Sequence, residues 1–467
     1  MDEHFATLKR ALQSKLESLW REVSWDTPRG KADLLRWEAM QACHVLHRAA
    51  NPAYGARCIR EGIGEQLERR HLPTLLFPEE IYKGYAEEMR ADGQKLGPFC
   101  ERDVPLLLKH LNRYLVNPIH VDGLDRSYIR FSSLLGGLDR LRSDLERSQG
   151  ITLLTSSGTT GGPFSLIPLD GESLETLLRA NDSALTQSSQ VAPYGPIDPA
   201  RDFIVGYLPR GGSMVMAMAF ERQARRFGER ACLAIPARVQ TKELRWRAGL
   251  HSGLDGRILK LVLPLLLRLG GRRTARAGLR NILAGLRRAE EMGLRTAVVG
   301  NAWMMYNALR KMEALLEREK AQGRKVAGEP LFRLAPGSVL ILGGGNKSSL
   351  NVGEEEIIAL ARKVIGGLDR VTDIYSQAEG FGFAVRCREG NYHLDPHVEY
   401  FTVDSYLAYF DPRQTNRVPG ILTGDLVDGI HEEACPCGAP TRFFRHVRRD
   451  EQKRGSKGCA AALADYG

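Results

Sequence analysis

Between Thr155 and Phe164 the chain reads TSSGTTGGPF, directly after the apolar run ITLL. Ser156, Ser157, Thr159 and Thr160 offer hydroxyl donors. Gly158, Gly161 and Gly162 let backbone N–H groups approach an anion without interference from a Cβ. This is the composition of a phosphate cradle, and also that of a flexible turn. It is not the Walker A pattern, because no Gly-Lys-Ser/Thr follows, and the glycine spacing of a dinucleotide fold is absent. Three further places put reactive residue types after strand-like runs. VLILGGGNK supplies Gly344 and Gly345, DIYSQAEGFG sets Tyr375 and Glu379 four residues apart, and PGILTGDL puts Asp425 after a Thr-Gly turn. Ligands of α/β sheets collect at such carboxyl ends of strands.

A second constellation is made of sulfur and imidazole. CREGNYH contains Cys387 and His393, and CPCG contains Cys435 and Cys437. Three soft sulfurs and one imidazole suit tetrahedral zinc, and four protein ligands would close the site and make it structural. Free thiols beside a turn are the alternative. The eight cysteines are scattered, which argues for reduced thiols, metal ligands or a nucleophile and against a disulfide framework. Cys459 stands apart, with eight residues after it in a basic tail. Lys453, Arg454 and Lys457 would favour its thiolate, the nucleophilic form, unless it is an incidental cysteine of a disordered tail.

These residues need a scaffold, and the pattern supplies an α/β one. Residues 1–145 read as a mostly helical region, with apolar positions every three or four residues in LKRALQSKLESLWREV and KADLLRWEAMQACHVLHRAA. From Ile151, short β-rich runs (ITLLT, DFIVGYLP, TAVVGN, SVLILGGG, VTDIYS) alternate with helices, which predicts a largely parallel sheet. YHLDPHVEYFTVDSYLAYFDP predicts antiparallel strands. The expected division is a helical region over 1–145, an α/β domain over 146–445 and a short basic tail over 446–467. With 467 residues, 43% hydrophobic and 26% charged, the composition is that of an ordinary globular protein. No transmembrane segment and no secretory signal is legible, so a cytoplasmic location is expected. Net charge is +10, and nine Lys/Arg with no Asp/Glu fall between Arg257 and Arg288. That segment is either a solvated helical face or a dock for an acidic partner or anionic headgroups. Nucleic acid is not expected, since no recognition motif accompanies the charge.

In order, the hydroxyl-glycine loop, Tyr-x-x-x-Glu and Thr-Gly-Asp resemble the adenylate-forming superfamily of acyl and aryl ligases. LILGGGNK, GLDRVTDIYSQAE, CREGNYHLDPHVEYFTVD, PGILTGDL, CPCG and RRDEQKRGSKGC are more closely similar to the acyl-protein synthetase (LuxE-type) family, with the phenylacetate–CoA ligase group next. The resemblance implies an adenylate-forming large domain. Its loop would hold the phosphates of ATP, Tyr375 would stack on adenine, Glu379 would hold Mg²⁺, Asp425 would bind the ribose, and Arg448 and Asp450 would match a ribose-contacting arginine and a hinge acid. A carboxylic acid, fatty or aryl, would become acyl-AMP and pass to a thiol, first choice Cys459, for delivery to an acyl reductase or an acyl carrier protein. Free acyl-CoA formation, or a non-catalytic adenylate-fold partner subunit, are the rival readings. The acid's pocket is expected near YLPRGGSMVMAMAF and GNAWMMYNAL, with methionine walls. Some phenylacetate–CoA ligase relatives carry a structural zinc in the region of the Cys/His set. The chain departs from the pattern in three ways. Phe164 and Ser165 stand where a lysine is usual after Pro163, Ser376 and Ala378 replace the usual Gly and Thr, and only 42 residues follow Asp425, too few for the usual lid domain of ~100 residues.

Overall fold

A computed structural model describes residues 3–85, 88, 103–122, 124, 137–155, 165–186, 197–212, 215–239, 254–343 and 352–450. The chain opens with three helices, α1 (Glu3–Glu22), α2 (Arg29–Ala50) and α3 (Pro52–Arg60). Proline at the first position of α3 and the Asn51 side chain accepting from Tyr54 N start the last of these where the chain turns. A short strand β1 (Phe77–Pro78) and helices α4 (Asp103–Asn112) and α5 (Gly137–Gln149) complete this part.

The hairpin β2 (Thr152–Thr155) and β3 (Leu166–Leu169) follows, then α6 (Gly171–Thr186), β4 (Phe203–Gly212), α7 (Val215–Phe227), β5 (Ala231–Val239), α8 (Leu254–Met292), β6 (Thr296–Asn301), α9 (Ala302–Ala321), β7 (Phe332–Gly343), α10 (Glu354–Val364) and β8 (Ile365–Ser376). Strands β5, β4, β6, β7 and β8 lie side by side in parallel. Three more strands, β9 (Phe383–Arg386), β10 (Tyr392–Leu394) and β14 (Phe443–Phe444), extend this sheet antiparallel beyond β8. A second sheet combines β11 (Glu399–Val403), β12 (Tyr406–Phe410), β13 (Gly420–Val427) and β15 (Val447–Arg449) with β1, which runs parallel to β13. The protein is thus mixed α/β, with four of the five β-rich runs read from the sequence in the parallel part. ITLLT is the exception. Its strand β2 pairs antiparallel with β3, the next strand in the chain, in a sheet of its own among the described residues.

The parallel strands are apolar on both faces, as a sheet covered on both sides requires. Alternate residues go to different clusters. Ile204, Leu208, Val299 and Ile341 join Phe220 of α7 and the N-terminal helices on one face. Phe203, Val205, Val298 and Leu340 join α8, α9 and α10 on the other. At Gly206 an ideal Cβ would lie 2.2 Å from the Phe220 ring, so glycine lets α7 pack directly on β4. The N-terminal helices are also tied in by charge. The buried Glu399 carboxylate meets Arg36 of α2 at 2.6 Å and Arg442 at 3.0 Å. Removing Glu399 would leave the buried guanidiniums of Arg36 and Arg442 short of their carboxylate, a loss of about 3–5 kcal/mol.

Candidate functional site

Glu379 sits just past the carboxyl end of β8 and is 8% exposed. Ser165 Oγ donates to its Oε1 at 2.9 Å. Thr155 closes β2 and Ser165 opens the return to β3, with Thr155 paired to Leu166. The described residues on either side of the hydroxyl-glycine run are therefore held, Thr155 by its pairing with Leu166 and Ser165 by Glu379. Ser156, Ser157, Gly158, Thr159, Thr160 and Gly161 themselves lie outside the described residues, as do Gly344, Gly345 and Cys459. β7 ends at Gly343, so the glycine run does begin at a strand's carboxyl end.

Tyr375, at the end of β8, donates its hydroxyl to Asp425 Oδ2 at 2.7 Å. Gln377 Nε2 reaches both the Tyr375 oxygen and Asp425 Oδ2 at 2.8 Å. Asp425 is fully buried, and its backbone N–H donates to Thr423 Oγ1 at 3.1 Å, so the Thr-Gly-Asp turn is fixed from within. Burial, reinforced by the neighbouring carboxylate, pushes the Tyr375 phenol well above its ordinary range and keeps it a donor. Tyr375 and Gln377 line a cleft of ≈ 250 Å³ with Tyr400 and Tyr409. Gln377 Oε1 is buried without a hydrogen-bond partner among the described residues.

On the other side of β8's end lies an apolar cavity, open to solvent on one side, lined among others by Leu208, Met216, Phe220, Ile341, Phe383 and Ser376. It falls at the carboxyl ends of β4, β6, β7 and β8 and takes Leu208, Val215, Met216 and Phe220 from the YLPRGGSMVMAMAF segment into its wall. The second expected wall is corrected. Met304 and Met305 of GNAWMMYNAL pack in the cluster on the opposite face of the sheet, because Asn301 caps α9 and the helix lies across that face. Among the described residues the methionine that lines the cavity is Met216. Its Cε occupies the space an ideal Cβ on Gly343 would take, 2.5 Å away.

Cys387, His393, Cys435 and Cys437 form one cluster, with all ligand atoms within 4.8 Å of one another. Cys387 Sγ and Cys435 Sγ are 3.8 Å apart, and Cys437 Sγ is 3.2 Å from His393 Nε2. A disulfide would need about 2.05 Å. Two sulfurs at ~2.3 Å from a tetrahedral metal are separated by about 3.8 Å. His393 Nδ1 lies 3.0 Å from Thr441 Oγ1 and 3.2 Å from Thr441 O. A proton there donates to the carbonyl and leaves Nε2 bare for a metal. Burial lowers His393 to about 4, so the imidazole is neutral near pH 7. The cluster could hold a metal ion such as zinc.

Arg448 is corrected by the strand that carries it. β15 pairs with β13 so that Asp425 faces Arg449 and Leu426 faces Arg448. Side chains alternate along a strand, and Arg448 is exposed. Arg449 turns inward instead, with Nη1 3.3 Å from Asp425 Oδ1 and Nη2 paired to the buried Glu79. Asp450 accepts from the Tyr406 hydroxyl at 2.5 Å. Ser165, Gln377, Arg449 and Glu79 are thus members of the site that motif reading missed. The register of β13 with β15 is the signal for Arg449, and it is not local. Among the described residues no helix is long and apolar enough to cross a membrane. No protein-family model matches the chain, and a search of curated proteins finds no match.

Proposed function

We propose that this protein is an ATP- and Mg²⁺-dependent ligase of the adenylate-forming type, which activates a carboxylic acid as acyl-AMP and transfers the acyl group to a thiol. One observation carries the reading. Ser165 at the end of the hydroxyl-glycine run, Glu379, the Tyr375–Gln377–Asp425 group and an apolar cavity meet around the carboxyl end of β8. These residues fit the nucleotide. The loop hydroxyls and N–H groups suit phosphates, Gln377 in the cleft wall carries an Oε1 with no partner among the described residues, and Asp425 suits a ribose hydroxyl once Tyr375 or Gln377 yields its place. Glu379 would hold Mg²⁺, whose charge offsets that of the phosphates.

The chemistry balances with these parts. A carboxylate oxygen of the acid attacks the α-phosphorus, and the bond to the bridging oxygen breaks to release pyrophosphate. A thiolate then attacks the acyl carbon and AMP leaves, so the product is a thioester. The first-choice thiol is Cys459, flanked by Lys453, Arg454 and Lys457. Zinc in the Cys387–His393–Cys435–Cys437 cluster would be structural, since four protein ligands leave no open position. The acyl-thioester would go to an acyl reductase or carrier protein.

Intact mass after incubation with ATP, Mg²⁺ and a pool of fatty and aryl acids tests the reading. The expected result is an acyl adduct that hydroxylamine removes and that Cys459→Ser lacks. Unmodified protein that still converts CoA to acyl-CoA would move the acceptor from Cys459 to CoA. No pyrophosphate with any acid, in the presence of a partner shown to bind, would leave a non-catalytic subunit.

A further inference from the structure

One polar side chain in the wall of the apolar cavity carries an oxygen that has no hydrogen-bond partner among the described residues. Asn181, on α6, lines the cavity and is 8% exposed. Its Oδ1 is buried with no hydrogen-bond partner among the described residues. Leaving such an acceptor buried and unpaired carries its full desolvation penalty. The surrounding Leu185, Leu208, Val215, Met216 and Phe220 have no side-chain donor to offer. The other polar side chain in the wall is Ser376, which directly follows Tyr375 and belongs to the segment leading to Glu379.

The two polar groups differ in what they can receive. A hydroxyl such as that of Ser376 can donate to a carboxylate, whereas an amide oxygen is an acceptor and repels one. The carboxyl group of a bound acid therefore belongs at the Ser376 end, and Asn181 calls for a donor on the body of the molecule. We infer that the cavity takes a carboxylic acid whose apolar body, aryl or short aliphatic, carries a hydroxyl or N–H group remote from the carboxylate, which donates to Asn181 Oδ1. This inference deepens the proposed acid activation and rests on it for the placement of the carboxylate. A site built to bond a substrate hydroxyl discriminates strongly against the analogue that lacks it, because the buried acceptor is then left unpaired. Asn181 is in this sense a specificity-determining residue.

Two matched pairs of acids test it: 3-phenylpropanoate with 3-(4-hydroxyphenyl)propanoate, and octanoate with 8-hydroxyoctanoate. Binding to the full-length protein is measured by calorimetry with and without ATP, and pyrophosphate exchange is measured in parallel. In at least one pair the hydroxylated acid is expected to bind about tenfold to a hundredfold more tightly. In Asn181→Leu that preference disappears or reverses. Asn181→Ser, smaller and still polar, is a second variant should the leucine fail to fold, and it is expected to weaken the preference. Equal binding within both pairs would mean that water satisfies Asn181 and would overturn the inference. A preference retained in both variants, or no binding of any of the four acids, would overturn it too. Exchange that proceeds without any hydroxyl preference sinks the Asn181 assignment alone. A hydroxyl preference in binding with no exchange sinks the adenylation reading and leaves Asn181 as the selecting group of a binding site.

Discussion

The hydroxyl of Ser165 donates to the carboxylate of Glu379 at 2.9 Å, joining two residues 214 positions apart in sequence. One closes the glycine-rich loop and the other is the carboxylate proposed to hold Mg²⁺. The bond fixes the loop's end and one oxygen of the acid together, leaving the second oxygen for a cation.

Glu379→Gln removes the anionic ligand while keeping the shape of the side chain. Several kcal/mol of charge stabilisation go with it, so pyrophosphate exchange is expected to fall by on the order of a hundredfold or more, with a raised Mg²⁺ requirement. Ser165→Ala removes one hydrogen bond, worth about 1 kcal/mol, and a loss of about fivefold is expected. Exchange assayed over a Mg²⁺ titration checks both. Equal effects of the two changes would contradict the assigned roles.

The two neighbouring arginines of β15 separate in a stability measurement. Arg449→Ala leaves the buried carboxylates of Glu79 and Asp425 without their guanidinium, and a loss of about 3 kcal/mol is expected. Arg448→Ala, at an exposed position, is expected to leave the unfolding midpoint where it is. Urea unfolding of both variants decides. A larger loss at Arg448 would mean that the register of β15 on β13 is different.

Metal content and stability should move together at the Cys/His cluster. The purified protein is expected to carry about one equivalent of zinc, and Cys435→Ser or a strong chelator is expected to remove it and lower the melting temperature by several degrees. Elemental analysis paired with thermal melts checks this. Wild-type protein with less than about half an equivalent would count against the site.

His47 sets a pH dependence of stability. It is fully buried, its Nε2 lies 2.6 Å from the carbonyl of Gln414, and burial lowers it from 6.5 to about 4. Between those values the unfolded chain binds a proton there that the folded chain does not. Stability is therefore expected to fall as pH drops from 6.5 to about 4 and to level off below, by up to roughly 3 kcal/mol from this group. His47→Gln keeps a donor for Gln414 and is expected to flatten that slope. Unfolding midpoints at pH 7 and pH 4.5 for both proteins are the check, and an unchanged slope would assign the effect to other groups.

Much of this arrangement is local and was legible in the chain itself. Continuous apolar runs bounded by glycine, alternating with helical periodicity, determined the strands β4, β6, β7 and β8 and their parallel order, since strands joined through helices run the same way. The order of the hydroxyl-glycine run, Tyr-x-x-x-Glu and Thr-Gly-Asp marked Glu379 and Asp425, and residue type marked the four sulfur and imidazole ligands, because few residues can serve as soft donors. What only the tertiary structure decided is pairing across distance. The antiparallel return of β2, the opposite-face packing of Met304 and Met305, the choice of Arg449 over Arg448 and the place of Asn181 in the wall of an apolar cavity all depend on register and on which face a neighbour covers. In a strand a shift of one residue exchanges the two faces, and nothing within β15 or α6 specifies which partner residue lies opposite.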